Sequence, residues 1–245
     1  MSKLISLIVV YILYRHFKNY NIFQKLQQHC NATWLDDFLF KAQMLANNYN
    51  NIPMLASTII VVATVFFITL LLQTIVHVTL HNVGSILFDT GILIYCLYSS
   101  TKKSYSSIFV TAFEHNFSLL FWFALLGPIG LVLYWLFMLN GNKTEQANGI
   151  EYAKNINHFL FNLHNIAAWF PARVTGLIFS LVGDFEQGFT RWKSAVKVLN
   201  MPHSELLNTC GEAALGNLTM EQAPLLVERA FIAWVICCML ITLII

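Results

Sequence analysis

Four polar side chains lie in or beside strongly apolar segments of the chain, where groups able to bind a ligand are uncommon. Glu114 precedes an apolar run that begins near Ser118. A carboxylate there is favoured by the helix dipole and is able to bind an amine or a metal ion. Taken alone, Glu114 is better explained as an interfacial charge. Asn116 has a residue type that caps helices, and capping is its simplest role.

Arg173 is the most informative single charge, because it lies within an apolar segment. An arginine at depth in a bilayer costs about 2.5 to 3.5 kcal/mol or more and needs an anionic partner or ligand. Asp184 lies about 16 Å further along a helix, too far for a direct pair, so Glu114 and Glu228 are better partners. We predict a ligand-binding cluster of Glu114, Asn116, Arg173 and Asp184. A structural salt bridge with snorkelling side chains is the alternative.

The small-residue segment 208–216 is a weaker candidate. It contains Gly211 and Glu212, and we predict a loop whose backbone amides are able to approach a phosphate. His77 and His81 have the spacing of two metal ligands on one helix face, but no third ligand lies nearby in the sequence. The five cysteines form no CxxC pair, and no P-loop, GxSxG or HExxH motif occurs. We therefore predict no metal site and no cofactor.

The composition indicates an all-α, polytopic integral membrane protein. Hydrophobic residues make up 57% of the chain and charged residues only 11%, which lies outside the range of soluble domains. Lipid is therefore an expected partner. The net charge of +2 is small and the basic residues are scattered, so nucleic acid is not an expected partner.

The apolar segments predict a single membrane domain over residues 1–245, because about 20 residues cross the hydrocarbon core. Segment 4–14 is expected to be an embedded helix, and segment 166–182 a span or a re-entrant helix. An amphipathic helix is predicted over residues 184–199, with Phe185 and Trp192 on its apolar face. Helix-breaking residues Gly127 and Pro128 interrupt one predicted span. The predicted spans are 54–80, 85–98, 118–139 and 225–245.

The distribution of basic residues bears on topology. If every apolar segment crosses, most Lys and Arg residues lie on the side of residues 15–41, which the positive-inside rule makes cytoplasmic. Crossing by segment 166–182 places Arg191, Lys193 and Lys197 on that side too. The rule therefore favours crossing or deep re-entry for this segment.

Two stretches carry a family resemblance. The first runs from Glu114 and Asn116 through Leu-Phe-Trp-Phe-Ala-Leu-Leu-Gly-Pro-Ile-Gly to Tyr134, and the second is Phe-Pro-Ala-Arg-Val-Thr-Gly, residues 170–176, followed by Gly183. Segment 211–216, Arg229 and Trp234 add to the pattern. These features resemble the AmpE family of bacterial inner-membrane proteins, which is related to the CobD/CbiB enzymes of cobalamin biosynthesis.

The AmpE resemblance implies a multi-pass regulatory or sensory protein of the inner membrane, linked to β-lactamase induction and cell-wall recycling. Its polar cluster would bind a small ligand, such as a nucleotide or cell-wall fragment, or a membrane protein partner or second copy. The amphipathic helix would report the bound state to the cytoplasm. A structural helper in an inner-membrane assembly is a further alternative.

The enzyme alternative is a membrane synthase that joins an amino-alcohol phosphate to a corrinoid carboxylate, with Glu114 and Arg173 binding the substrates. The CobD/CbiB pattern continues after Leu-Tyr with an Arg and an Asn-Thr-Leu-Asp run. Here Tyr134 is followed by Trp-Leu-Phe-Met-Leu-Asn, and residues 117–120 lack the carboxylate that the enzymes carry. The resemblance therefore implies that this chain keeps the scaffold of the CobD/CbiB enzymes but has lost their catalytic activity.

Overall fold

The structure, a computed structural model, describes residues 2–17, 54–98, 107–141, 151–216 and 219–244. Within these ranges the chain forms helices and turns without any strand, which confirms the predicted all-α class. Lys18, Lys25, Lys41, Lys102 and Lys103, on which the topology argument depends, lie outside them. The helices are α1 Ser2–Phe17, α2 Met54–Tyr98, α3 Ile108–Ala112, α4 Ser118–Leu126, α5 Pro128–Gly141, α6 Glu151–Val182, α7 Phe185–Lys197, α8 His203–Leu215 and α9 Ala223–Ile244.

In the described part of the chain, four stretches are long and apolar enough to cross a membrane: Val62–Thr79, Ile108–Leu126, Phe161–Val182 and Met220–Ile244. The chain is therefore a multi-pass membrane protein. Apolar side chains on α2 suit lipid contact, since Phe67, Val78, Val83 and Leu87 each remain about two-thirds exposed. Whether the segment predicted at 166–182 crosses or re-enters stays a prediction.

Helix α2 differs from the two predicted spans, because 54–80 and 85–98 belong to one continuous helix of 45 residues. No proline separates them, and a single Gly84 costs a helix only about 1 kcal/mol. At 1.5 Å per residue the helix is about 68 Å long, more than twice the thickness of a hydrocarbon core.

The predicted break at Gly127 and Pro128 is confirmed. Gly127 has φ +72, a left-handed conformation that L side chains rarely adopt, and α5 begins at Pro128. The helical stretch before the break starts earlier than the predicted Ser118. Ser107 caps it at Ile108, where the Ser107 hydroxyl accepts a hydrogen bond from the Phe109 amide. Glu114 therefore lies inside a helical stretch and not before one.

The helices fall into two compact units, whereas the sequence predicted one domain. The first unit contains α1, α2, α5 and the first part of α6. Within it α2 packs against α1 and α5. The Ser6 hydroxyl donates to the Ile86 carbonyl, and the rings of Tyr95 and Trp135 meet edge to face at 5.8 Å.

The second unit contains α3, most of α4, the C-terminal part of α6, and α7 to α9. Small residues let its helices approach closely: a Cβ on Gly176 would lie 3.1 to 3.2 Å from side chains of Leu206, Trp192 and Cys210. Pro171 lies inside α6, and the Thr175 hydroxyl donates to its carbonyl. These contacts fix α6, α7 and α8 as one packed group.

Helix α7 confirms an amphipathic helix in the predicted region, but its buried face differs from the predicted apolar stripe. The residues packed inward are Gly188 and Ala195, with Trp192 against the core formed by Ala195, Leu206 and Cys210. Phe185, predicted on the apolar face, remains exposed. Small residues occupy the inward face because Ser180 of α6 lies against Gly188 and α8 lies against Ala195, so part of the aromatic stripe is left outside.

Candidate functional site

A π-helical turn at Phe113–Phe117 lies between α3 and α4 and carries Glu114. Such single turns occur frequently at functional sites and displace the regular hydrogen-bond ladder. Extra donors serve the carbonyls around this turn. The Ser118 hydroxyl donates to the Phe113 and Glu114 carbonyls, at 2.9 and 3.2 Å, and the Trp234 indole donates to the Phe117 carbonyl at 2.7 Å. The turn is thereby held by its own helix and by α9.

Glu114 is the centre of a buried cluster with two histidines from other helices. Its Oε2 lies 3.0 Å from Nε2 of His164 on α6, and its Oε1 lies 2.9 Å from Nε2 of His203 at the start of α8. The two imidazole rings meet edge to face with their centroids 5.6 Å apart. We call these three residues the Glu-His-His cluster.

The electrostatics of the cluster follow from its burial. The Glu114 side chain is only 1% exposed, so an ionised carboxylate there needs partners for both oxygens, and the two imidazoles supply them. With both rings neutral, the cluster carries one buried negative charge. This buried negative charge favours a bound cation.

The three residues also form a metal-ligand set. Glu114, His164 and His203 offer one donor atom each, and these atoms all lie within 4.8 Å of one another. Imidazole nitrogen and carboxylate oxygen are typical ligands of divalent transition metals. His203 is 15% exposed at its side chain, which makes it the most accessible member.

Arg173, by contrast, contacts the end of α7. Its guanidinium donates to the carbonyls of Trp169, Val198 and Leu199 at 3.1, 3.4 and 3.2 Å, and lies 3.8 Å above the Trp169 ring. The sequence favours Glu114 or Glu228 as the anionic partner of Arg173. In the structure the negative end of the α7 dipole is that partner. The Trp192 indole donates to the Arg173 carbonyl at 2.8 Å and secures the same joint.

Asp184 serves the opposite end of α7. Its carboxylate accepts a hydrogen bond from the Gln187 amide as an N-cap, and its own amide donates to the Ala214 carbonyl at 2.7 Å. Gly183 and Gly216 border this joint. A Cβ on Gly183 would collide with Ala214, and Gly216 has φ +56 beside the Asp184 carboxylate.

The structure therefore does not bring the four predicted residues into one cluster. Glu114 and Asn116 share the π turn, where Asn116 is half-buried and is not at the helix cap predicted for it. Arg173 and Asp184 hold the two ends of α7. The positive Arg173 lies at the C-terminus of α7 and the negative Asp184 lies at its N-terminus. Each charge is thus opposite in sign to the end of the helix dipole that it contacts.

The predicted loop at 208–216 is also different, because its residues up to Leu215 belong to α8. Gly211 is buried, and a Cβ there would lie 2.5 to 2.7 Å from ring carbons of Phe109, while Glu212 is exposed. Small residues suit a loop, yet in α8 they permit close helix packing. Within this stretch the backbone amides are occupied by helix bonds and form no nest for a phosphate.

His164 and His203 were missed by the sequence argument. Their partner is distant in the chain, since 50 residues separate His164 from Glu114, and no local motif joins them. His164 did carry one usable signal, because an ionisable residue within a membrane-length apolar helix is a functional-site candidate by default. Metal-ligand spacing on a single helix points to His77 and His81 instead.

Comparisons of the chain with protein-family models, with curated proteins and with solved structures gave no match.

Proposed function

We propose that this protein is a regulatory membrane protein that binds a small ligand at the Glu-His-His cluster and does not catalyse a reaction. The observation that carries the proposal is the buried carboxylate of Glu114, held by His164 and His203 inside a stretch long enough to span a membrane. Ionisable groups are costly in such segments and mark ligand or ion sites.

The contacts of Arg173 and Asp184 favour this role over the synthase alternative. A synthase was expected to use Arg173 to bind a phosphate or carboxylate, but its guanidinium is engaged by three backbone carbonyls. Asp184 likewise caps α7. Both side chains are thus engaged in holding the ends of α7, which favours a structural role for them over a catalytic one.

The physiological setting comes from the resemblance to the AmpE family. We propose an inner-membrane protein of a bacterium that modulates β-lactamase induction in response to its ligand. Helix α7 suits the output role, since its exposed Phe185 and basic residues lie on a helix joined directly to α6, which carries His164.

The test is genetic. The chromosomal gene is deleted and complemented with the wild type, with Glu114→Gln, or with His77→Gln, which changes a histidine outside the cluster. We expect deletion and Glu114→Gln to change β-lactam-induced β-lactamase expression several-fold, and His77→Gln to behave as wild type. Membrane levels of each variant are measured by immunoblot.

Wild-type induction in the deletion strain would overturn the regulatory role. Full complementation by Glu114→Gln at equal membrane levels would instead show that the regulatory function does not pass through the cluster.

A further inference from the structure

We infer that the ligand of the Glu-His-His cluster is a single divalent transition-metal ion, bound by Glu114, His164 and His203. This inference rests on the ligand-binding role proposed above and names the class of ligand. The donor atoms come from three helical elements of one compact unit: the π turn, α6 and α8. Convergence of three separate elements on one point makes the site a property of the tertiary fold.

The distances suit an ion after small side-chain movements. Ligand bonds of about 2.0 to 2.2 Å around a tetrahedral ion place donor atoms about 3.3 Å apart. The Nε2 atoms of His164 and His203 already lie 3.0 and 2.9 Å from the carboxylate oxygens, and the full set lies within 4.8 Å. An ion would take the place of the hydrogens that now bridge these atoms.

The donor types select the class of metal. Two imidazoles and one carboxylate are ligands of Zn²⁺ and of non-haem Fe²⁺, whereas Mg²⁺ and Ca²⁺ require mainly oxygen donors in larger number. Three protein ligands leave a position open for water or another small donor. The single negative charge of the ligand set and its burial among apolar helices further favour a cation.

Access is provided at His203. The Glu114 and His164 side chains are 1% and 4% exposed, while that of His203 is 15% exposed. His203 is also the first residue of α8, directly after Pro202, so its side chain lies at the edge of a helix and not in its middle. His203 is therefore the member of the cluster nearest the surface, and its side is the one from which an ion would enter.

The experiment uses the full chain, purified in detergent and stripped with a chelator. Zn²⁺, Fe²⁺ under anaerobic conditions and Mg²⁺ are added separately, bound metal is counted by elemental analysis, and Co²⁺ serves as a spectroscopic probe. We expect one equivalent of Zn²⁺, Fe²⁺ or Co²⁺ per chain with visible Co²⁺ bands, and no retained Mg²⁺.

The decisive variants are His203→Gln and His164→Gln, with His77→Gln as the matched control. A glutamine amide still donates a hydrogen bond to Glu114 but does not replace an imidazole ligand, so these variants separate a metal site from a hydrogen-bonded triad. We expect affinity to fall at least about 100-fold, because even an outer-shell partner of a metal site is worth about 10- to 100-fold. A thermal shift on adding Zn²⁺ should be lost in both and kept in His77→Gln.

Absence of Zn²⁺, Fe²⁺ and Co²⁺ binding by folded wild-type protein would overturn the inference, as would unchanged binding in both cluster variants. If the purified protein binds no metal while Glu114→Gln still abolishes regulation in cells, the inference that the ligand is a metal ion is refuted and the ligand-binding role stands. If metal binds but deletion leaves induction intact, the metal site stands and the regulatory role falls.

Discussion

Two buried charges of the second unit, Glu114 and Arg173, are stabilised in different ways. Glu114 is held by side chains, the imidazoles of His164 and His203. Arg173 is held by backbone carbonyls, one from Trp169 of α6 and two from the end of α7. Side-chain partners are able to turn from the carboxylate toward an ion. Carbonyls at a helix end have no such alternative. Of the two charges, only Glu114 is therefore placed to take part in exchangeable binding.

This difference predicts that substitutions in the two regions have different main effects, on stability in one region and on binding in the other. Residues that hold α7 should affect mainly the free energy of unfolding, and residues of the Glu-His-His cluster should affect mainly binding. Functional sites commonly show this separation, because groups kept for binding are not optimised for stability.

The largest loss of stability is expected for Arg173→Met. The change removes a guanidinium that satisfies three carbonyls and stacks on Trp169. We expect the free energy of unfolding to fall by about 3 kcal/mol, as measured by denaturant unfolding in detergent. Arg191→Met, at an exposed position on α7, should change it by less than about 0.5 kcal/mol. Equal effects of the two changes would refute the assigned role of Arg173.

A smaller loss is expected for Gly211→Ala, where the new methyl group would lie 2.5 to 2.7 Å from the Phe109 ring. Overpacking of this kind costs about 1 to 3 kcal/mol. Gly91→Ala on α2 is the matched control, because a Cβ there has no neighbour within 4 Å. That variant should be stabilised by about 0.5 to 1 kcal/mol, since alanine is the better helix former. Thermal unfolding of the two purified variants distinguishes the outcomes.

The N-terminal joint of α7 should contribute less than its C-terminal joint. Asp184→Ala removes the cap of the Gln187 amide and should cost about 1 kcal/mol, while Asp184→Asn keeps a capping side chain and should cost less. Hydrogen exchange of the first turn of α7 would report the change locally. An Asp184→Ala variant that unfolds more readily than Arg173→Met would reverse the ranking of the two joints.

The smallest effect on stability is expected for Glu114→Gln. The amide leaves both imidazoles with a neighbour and removes a buried charge, so we expect a change within about 1 kcal/mol in the same unfolding assay. Metal affinity should nevertheless be lost. If the variant is destabilised more than Arg173→Met, the cluster is a structural element first and the proposed separation fails.

A pH titration sharpens the same comparison. Protons compete with a metal ion for the imidazole nitrogens, so metal affinity should fall as the pH decreases from 7.5 to 5.5. Arg173 stays charged across that range, and the contacts at the end of α7 should persist. Co²⁺ absorbance and the near-ultraviolet signal of the tryptophans follow the two regions separately.

Local features of the fold were predictable, because proline, glycine and hydrophobic periodicity act within a few residues. The break at Gly127 and an amphipathic helix within residues 184–199 are examples. The cluster was not predictable in this way, because Glu114, His164 and His203 meet only through packing of three separate elements. The same limitation explains segment 208–216, where small residues fit both a loop and a tightly packed helix.

The break between α4 and α5 also restricts which amino acids can replace Gly127. Gly127 has φ +72, and a Cβ there would lie 3.1 Å from the Lys3 side chain. Only residues that tolerate the left-handed region, chiefly asparagine and aspartate, are reasonable substitutes, while β-branched residues are excluded. A saturation mutagenesis scan should therefore show that position 127 tolerates fewer substitutions than most positions of the apolar helices, although Gly127 has no side chain that could bind a ligand.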